Sequence, residues 1–270
     1  MADPVGIRVD GSSKIRLSSI DPDETGALTD KTEARQLLKI ERDRIQELQE
    51  RLFAERKQGL LIVLQATDTG GKDGTIKSVL DGVNPQGCQV WSFKEPSEEE
   101  LGHDIFWRYH EHTPPRGMIT IFNRSHYEEV LVVRVKKLVP ESAWRERYEM
   151  INAFESILVK QHTTILKFFL HISKDEQKER LQARLDDPAK HWKFSVGDLK
   201  DRAMWNDYQK AFQDAINRCS KPDAPWIVVP ANRKWYRNLV VARTIADTLE
   251  KMNPAFPQSE SGLESIAIPD

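Results

Sequence analysis

Asp68, Lys72 and Asp73 surround two glycines, Gly70 and Gly71, in the stretch LLIVLQATDTGGKDGTIKSVL from Leu60 to Leu80. A short apolar run, Leu60 to Leu64, feeds the glycine loop, and a segment with helical spacing follows the lysine. That order makes an anion cradle. A buried strand aims the loop, glycines let backbone N–H groups approach phosphate oxygens, and a helix N-terminus adds partial positive charge. A lysine opening a helix is electrostatically unfavourable unless an anion offsets it, which assigns Lys72 to phosphate. The pattern G-x-x-x-x-G-K-[ST] is met imperfectly: Ala66 stands at the first glycine, and Asp73 where Ser or Thr would reach a metal. Asp68 puts a carboxylate inside the loop, where negative charge beside phosphate makes sense with a metal between them. Asp73 is open to the same reading, and the sequence does not decide which of the two holds the metal.

Two further clusters could share a site with this loop. The run MITIF from Met118 to Phe122 reads as a strand and ends in Asn123-Arg124-Ser125-His126-Tyr127-Glu128. The carboxyl edge of a parallel sheet is where ligands bind, so Arg124 is expected to project into the crevice beside the loop. Asn123 occupies the slot where P-loop enzymes often place a magnesium-binding Asp. Glu128 is either a ligand or a local cap, because Ser125 with Glu128 reads as a capping box. Farther on, Arg180 and Arg184 share a helical face one turn apart, at the cost of like-charge repulsion. Lys178, Lys190 and Lys193 add positive charge there, which reads as a grip on a polyanion despite the neighbouring acids Asp175, Glu176, Glu179, Asp186 and Asp187. Trp192 and Phe194 read as packing.

The elements that must position these groups alternate. Residues 1–30 are polar and turn-rich and are expected to form an extended arm. Leu38, Ile45, Leu48 and Leu52 predict an amphipathic helix from Thr32 to Arg56, which either covers the sheet or joins a subunit interface. Strands are predicted at Leu60–Leu64, Val90–Phe93, Met118–Phe122, Thr164–Ile172 and Trp226–Val229. Predicted helices run from Lys72 to about Asp81, from Ser97 past Tyr109, over Val130–Val135, and after Pro140. Others follow Ser173, span Val196–Asn217, and span Lys234–Met252. This alternation gives an α/β fold: a mostly parallel five-stranded sheet covered on both faces. Residues 31–252 form the expected domain, with a charged lid insert at about 174–217, and 253–270 is an expected mobile tail.

Composition fits a globular chain: of 270 residues, 39% are hydrophobic and 30% charged, enough for a sizeable core. A net charge of −2 argues against broad nucleic-acid binding but leaves local anion sites open. Cys88 and Cys219 have neither metal spacing nor a disulfide framework, no run approaches a membrane span, and the amino-terminal stretch carries no apolar signal region. A cytoplasmic protein is expected.

Taken together, these residues resemble the second family of polyphosphate kinases. The carrying motifs are QATDTGGKDGTIK (Gln65–Lys77), SFKEP (Ser92–Pro96), IFNRSHYEEVLVVRV (Ile121–Val135), HISKDEQKERLQARLDDPAKHWKF (His171–Phe194), GDLKDR (Gly197–Arg202) and APWIVVPANRKWYRN (Ala224–Asn238). The likeness spans Thr32 to Met252. Asn123 and Glu128 resemble the third subgroup, whose members phosphorylate AMP and ADP; other subgroups tend to carry Asp at the first of these positions, and Thr69 stands where the family often has Ala. The resemblance implies a three-layer P-loop kinase fold with a helical lid. It also implies magnesium-dependent transfer of the terminal phosphoryl group of inorganic polyphosphate to nucleoside mono- and diphosphates, AMP to ADP and ADP to ATP, with guanine nucleotides as further acceptors. A homo-oligomer, in the family a tetramer, is implied as well. On this reading Asp68, Lys72, Arg124 and Arg180 are catalytic. Gly70, Gly71, Lys72, Asp73, Gly74, Lys77, Arg184 and Lys193 bind phosphate, while Asn123, Glu128 and Arg134 bind the nucleotide. Phosphoryl transfer needs positioning and charge neutralisation, and an anionic acceptor oxygen needs no strong general base. Two other functions fit the same motifs: an ATP-dependent small-molecule kinase, and a non-catalytic polyphosphate-binding protein.

Overall fold

Every residue of the strand Gly59–Gln65 is buried, and its side chains alternate between two cores. Leu60, Ile62 and Leu64 enter one apolar cluster, while Leu61 and Val63 enter the other. A strand apolar on both faces belongs in the middle of a covered parallel sheet, and that is where the computed structural model places it. The structure describes residues 6–263 and 266–269. The predicted arm before Gly6, and positions 264, 265 and 270 of the predicted tail, lie outside the described residues.

In chain order the elements are β1 (Ile7–Val9), α1 (Lys31–Glu55), β2 (Gly59–Gln65), α2 (Lys72–Val79), β3 (Cys88–Ser92), α3 (Glu98–Leu101), α4 (Trp107–His110), β4 (Ile119–Asn123), α5 (Val132–Val135), α6 (Glu141–Lys160), β5 (Thr163–His171), α7 (Lys174–Leu185), α8 (Val196–Ala203), α9 (Trp205–Cys219), β6 (Trp226–Pro230) and α10 (Lys234–Met252). The sheet has six strands in the order β1-β6-β5-β2-β4-β3, one more than the sequence predicts. The sixth comes from the supposed arm: Ile7–Val9 pairs antiparallel with β6, and the other pairings are parallel. Three residues carry too little alternation to signal a strand, and only the neighbouring edge of β6 defines this one.

One layer contains α1, α2 and α10, and the other contains α6 and α9. The first helix therefore covers the sheet, burying Ala34, Leu38, Ile45 and Leu52. Buried Glu41 locks it to α10, accepting from Arg44 at 2.5 Å and Arg243 at 2.8 Å.

Three predicted helices are broken. The segment from Ser97 past Tyr109 splits into α3 and α4, although the Ser97–Glu100 capping box forms as expected. Gly102 ends the first piece, and Asp104 starts the next turn by accepting from Phe106 N, which leaves Leu101 exposed. The segment after Asn123 is a 3-10 turn, His126–Glu129, and then the single turn of α5. Its Ser125 hydroxyl accepts from Tyr127 N and does not close a box with Glu128. The long helix predicted from Val196 divides at Met204 into α8 and α9. Trp192, expected to pack, is 79% exposed with Lys193 over its ring.

Candidate active site

Strand β2 lies between β4 and β5, so the chain leaves its carboxyl end toward one side and later returns on the other. That switch point opens a crevice, and the glycine loop borders it. Gly70 N donates to Thr67 O at 2.9 Å, tightening the loop so that a Cβ at position 70 would collide with Ala66. Gly71 has φ 100°, and a Cβ there would strike the Arg237 guanidinium. Both glycines are thus required by geometry. Lys72 opens α2 and folds its ammonium back onto Ala66 O at 3.3 Å, over its own loop. Burial, with Arg124 adding to it, pulls the Lys72 ammonium below its ordinary pKa, and Asp68, Glu128 and Asp73 act against the shift.

Arg124 leaves the end of β4 with φ 63°, a conformation few non-glycine residues adopt, and its guanidinium meets Asp68 Oδ1 at 3.1 Å. Burial opposes the Arg124 charge, but Glu128 and Asp68 outweigh it and raise the pKa. Burial lifts the Glu128 carboxyl above the usual carboxylate range, while Arg124 and Lys72 pull the other way. Asn123 donates to Asp73 Oδ1 at 2.7 Å and to Ser92 Oγ at 3.3 Å, joining the loop to β3. Asp68, Lys72, Asp73, Asn123, Arg124 and Glu128 therefore form one electrostatic cluster, as their positions in the sequence suggested.

Beside this cluster lies a cavity of about 680 Å³, floored by Ala66, Thr67 and Asp68 and bordered by Arg124 and Glu128. Its walls include Phe93, Tyr109, Leu131, Val132, Tyr208 and Phe212. Charged side chains share that lining, among them Lys94, Glu100, Arg108, Glu129, Lys136 and Arg147, so a chamber of that size with apolar ring-sized walls and charge around them suits a flat heterocycle carrying an anionic group. The hydroxyl of Thr67 is buried at its floor without a hydrogen-bond partner among the described residues.

The remaining predicted residues are placed differently. Gly74 and Lys77 lie on exposed positions of α2. Arg180 is almost wholly buried, and its donors are committed: to Glu176 at 2.6 Å, Thr69 O at 3.0 Å, Ala231 O at 2.7 Å and Asn232 O at 3.1 Å. It braces the loop from behind. Arg184 bonds to Lys193 O at 2.8 Å and Asp198 at 3.3 Å, tying α7 to α8, while the Lys193 side chain is exposed. Arg134 pairs with Asp214 at 2.7 Å, donates to the Tyr148 hydroxyl at 3.1 Å and stacks on Trp144, so its charge is engaged between α5, α6 and α9.

Three groups at or behind the site carry almost no local signature in the sequence. Buried Gln177 donates to Asp68 O at 3.1 Å. Arg237 sits against Gly70 and Gly71. Lys167, fully buried on β5, donates to Glu155 at 2.6 Å, Cys219 O at 2.6 Å and Tyr127 OH at 2.9 Å, and Glu155 in turn meets His126 at 3.1 Å. This network anchors the turn that carries Arg124 and Glu128. A lone Lys inside an apolar strand pattern was its one visible sign.

The AMP/ADP-polyphosphate phosphotransferase of Meiothermus ruber is 52% identical over 262 residues, covering 97% of this chain and 98% of that protein. The ADP-polyphosphate phosphotransferase of Rhodopseudomonas palustris is 45% identical over 236 residues, 83% of this chain and 82% of that one. The crystal structure of polyphosphate kinase 2 from Arthrobacter aurescens TC1 superposes with a TM-score of 0.91 at 44% identity, covering 96% of this chain and 92% of the other. The family model for Polyphosphate kinase 2 (PPK2) matches residues 28–257, and the chain belongs to that family.

Proposed function

We propose that this protein transfers the terminal phosphoryl group of inorganic polyphosphate to AMP and ADP, giving ADP and ATP. The observation that carries the reading is positive charge gathered against the glycine loop, where the Arg237 and Arg180 guanidinium groups close on Gly71, beside a cavity bordered by Arg124. Lys234 is depressed below its ordinary pKa by burial and then by Arg180, Arg237 and Lys190, with Glu176 opposing, although the whole chain carries a net charge of −2. Such a gathering fits a donor that is itself a chain of phosphates. The relatives' names support the same substrates.

In the reaction an oxygen of the acceptor phosphate attacks the terminal phosphorus of the chain. The new P–O bond forms as the bridging P–O bond breaks, and the shortened polyphosphate leaves with the electron pair. Lys72 and Arg124 offset the charge on the equatorial oxygens, and Asn123 and Glu128 face the acceptor. Arg180 acts by holding Thr69. Gly70, Gly71 and Asp73 line the phosphate path, with Lys77, Arg184 and Lys193 at its periphery.

Among the described residues no group of three or more His, Cys, Asp or Glu side chains could hold a metal alone. Magnesium commonly binds through one or two carboxylates plus substrate phosphates. Asp68 and Asp73 fit that pattern, since each has one oxygen engaged, by Arg124 and Asn123, and the second without a protein partner among the described residues. Bound there, magnesium would neutralise charge on the transferring group.

Guanine nucleotides are further acceptors in this reading, because the cavity walls that the base would meet are largely apolar. No helix among the described residues is long and apolar enough to cross a membrane, and both cysteines are free. We place the enzyme in the cytoplasm, with its nucleotides, and infer a homo-oligomer.

A donor-by-acceptor matrix tests the function: polyphosphate or ATP against AMP, ADP, GMP and GDP, with and without magnesium. ATP formed from ADP and polyphosphate is expected; turnover with ATP alone, or saturable polyphosphate binding without any product, refutes it. Lys72→Ala is expected to remove about 2.7–4 kcal/mol of transition-state stabilisation, a fall in kcat of about 10²–10³. An unchanged kcat would leave the loop a purely structural feature.

A further inference from the structure

Asn232 closes the turn between β6 and α10, and its side chain joins two distant parts of the chain. Nδ2 donates to Asp23 Oδ2 at 2.7 Å and to Ser173 Oγ at 3.3 Å, while Oδ1 accepts from Ser173 N at 3.0 Å. Ser173 is the cap of α7, and Asp23 belongs to the amino-terminal arm. The backbone of the same turn holds the loop brace: Ala231 O and Asn232 O accept from Arg180, which donates to Thr69 O at 3.0 Å. A continuous path of hydrogen bonds therefore runs from Asp23 through Asn232 and Arg180 to Thr69, in the loop that carries Lys72.

The arm is itself fixed. β1 pairs with β6, Asn217 exchanges hydrogen bonds with both backbone groups of Ile15, Gln213 accepts from Leu17 N, and Asn232 N donates to Pro22 O. Asn217 and Gln213 lie on α9, the helix whose Tyr208 and Phe212 wall the cavity. The arm thus straps one wall of the cavity to the turn that anchors the loop.

We propose that Asn232, set by Asp23, is a positioning residue for phosphoryl transfer, so that the arm belongs to the catalytic apparatus. This deepens the polyphosphate-kinase reading and rests on it. The position demands an amide: it must donate to a carboxylate and accept from a backbone N–H at once. Alanine does neither, and aspartate would set two carboxylates against each other. A displacement of about 1 Å in reacting groups costs about 10²-fold in rate, so a loosened brace is read out in turnover.

The test is steady-state kinetics with polyphosphate and ADP, at a temperature well below the unfolding midpoint of each variant. Asn232→Ala and Asp23→Ala are each expected to lower kcat about tenfold while the KM for ADP stays within about twofold, because neither side chain lines the cavity. Asn232→Asp is expected to be worse. Combining it with Asp23→Asn sets an amide against a carboxylate again, in reversed order, and restores most of the lost kcat. Should Asn232→Ala fail to fold, the half-exposed Asp23 keeps the test available. Single variants with kcat within twofold of the wild type overturn the proposal, even if their melting points fall, and so does a reversed pair with no recovery. A wild-type protein that makes no ATP from polyphosphate defeats the functional reading instead.

Discussion

At the scale of single residues, the loop juxtaposes two kinds of cation. Lys72 and Arg124 are surrounded by Asp68, Asp73 and Glu128, so their charges are partly met before any ligand arrives. Arg237 is not. Its guanidinium is buried and among the described residues holds only neutral oxygens, Asn238 Oδ1 at 2.8 and 3.0 Å and Gly70 O at 3.5 Å. Burial first, and then Arg180, pull its pKa down to about 9, with only Glu176 acting against them. A guanidinium stays protonated, so that depression measures an uncompensated charge, and an anion seated on the loop would relieve it. Saturation with polyphosphate at about 100 times Kd should stabilise the wild type by about 2.7 kcal/mol; tenfold weaker binding in Arg237→Met would leave about 1.4 kcal/mol. Thermal unfolding with and without polyphosphate measures the difference, and an equal stabilisation of the two proteins would show that Arg237 does not feel the anion. Lys72, Asp68 and Arg124 were legible because each follows soon after an apolar strand run that the sequence marks locally. Arg237 was not, because the meaning of a cation near the start of a helix depends on which loop the fold brings against it.

At the scale of elements, legibility follows length. Helices α1, α6 and α10 and strands β2 and β5 have enough turns or alternations to outvote local noise, and they lie where the periodicity puts them. The helical pieces between residues 97 and 135 are one turn each, and Gly102 and the strained Arg124 set their limits. Short elements take their form from tertiary contacts, and for the turn after β4 those contacts come from α6 and β5. Glu155 on α6 accepts from Lys167, His126 and Tyr127, a buried ion pair with its remaining lone pairs satisfied. Removing one member leaves the other charge buried without its partner, so Lys167→Met should cost about 3–5 kcal/mol. Urea unfolding checks this, and Lys167→Met together with Glu155→Met should be less destabilised than the sum of the two single changes. Strict additivity would mean that the two groups do not stabilise each other.

The whole molecule has almost balanced charge, 40 Lys and Arg against 42 Asp and Glu, yet it distributes that charge unevenly and buries part of it. Its response to acid follows from which buried groups must change state. Burial holds the imidazoles of His126 and His171 below their ordinary value of 6.5, with Glu155 opposing at His126 and the backbone of Ile20 and Leu17 opposing at His171. In the unfolded chain both titrate near 6.5, so on acidification the unfolded state takes up protons first. Their contribution is therefore fully present above 6.5 and is lost as pH falls toward the folded-state values, at up to about 1.4 kcal/mol per pH unit for each histidine. Glu155, lowered by Lys167 and His126 against the upward pull of burial, extends the loss below 4.5. Glu128 works the other way, since a raised carboxyl takes up its proton more readily when folded. Because these opposing groups blur the total curve, the informative measurement is a difference. His126→Gln keeps a donor for Glu155 but cannot titrate, so its stability should fall less steeply than that of the wild type from pH 6.5 downward, by up to about 1.4 kcal/mol per unit. Urea unfolding of both proteins across pH 7.5 to 5 reads this directly, and superimposable slopes would remove the buried His126–Glu155–Lys167 network as a source of acid sensitivity.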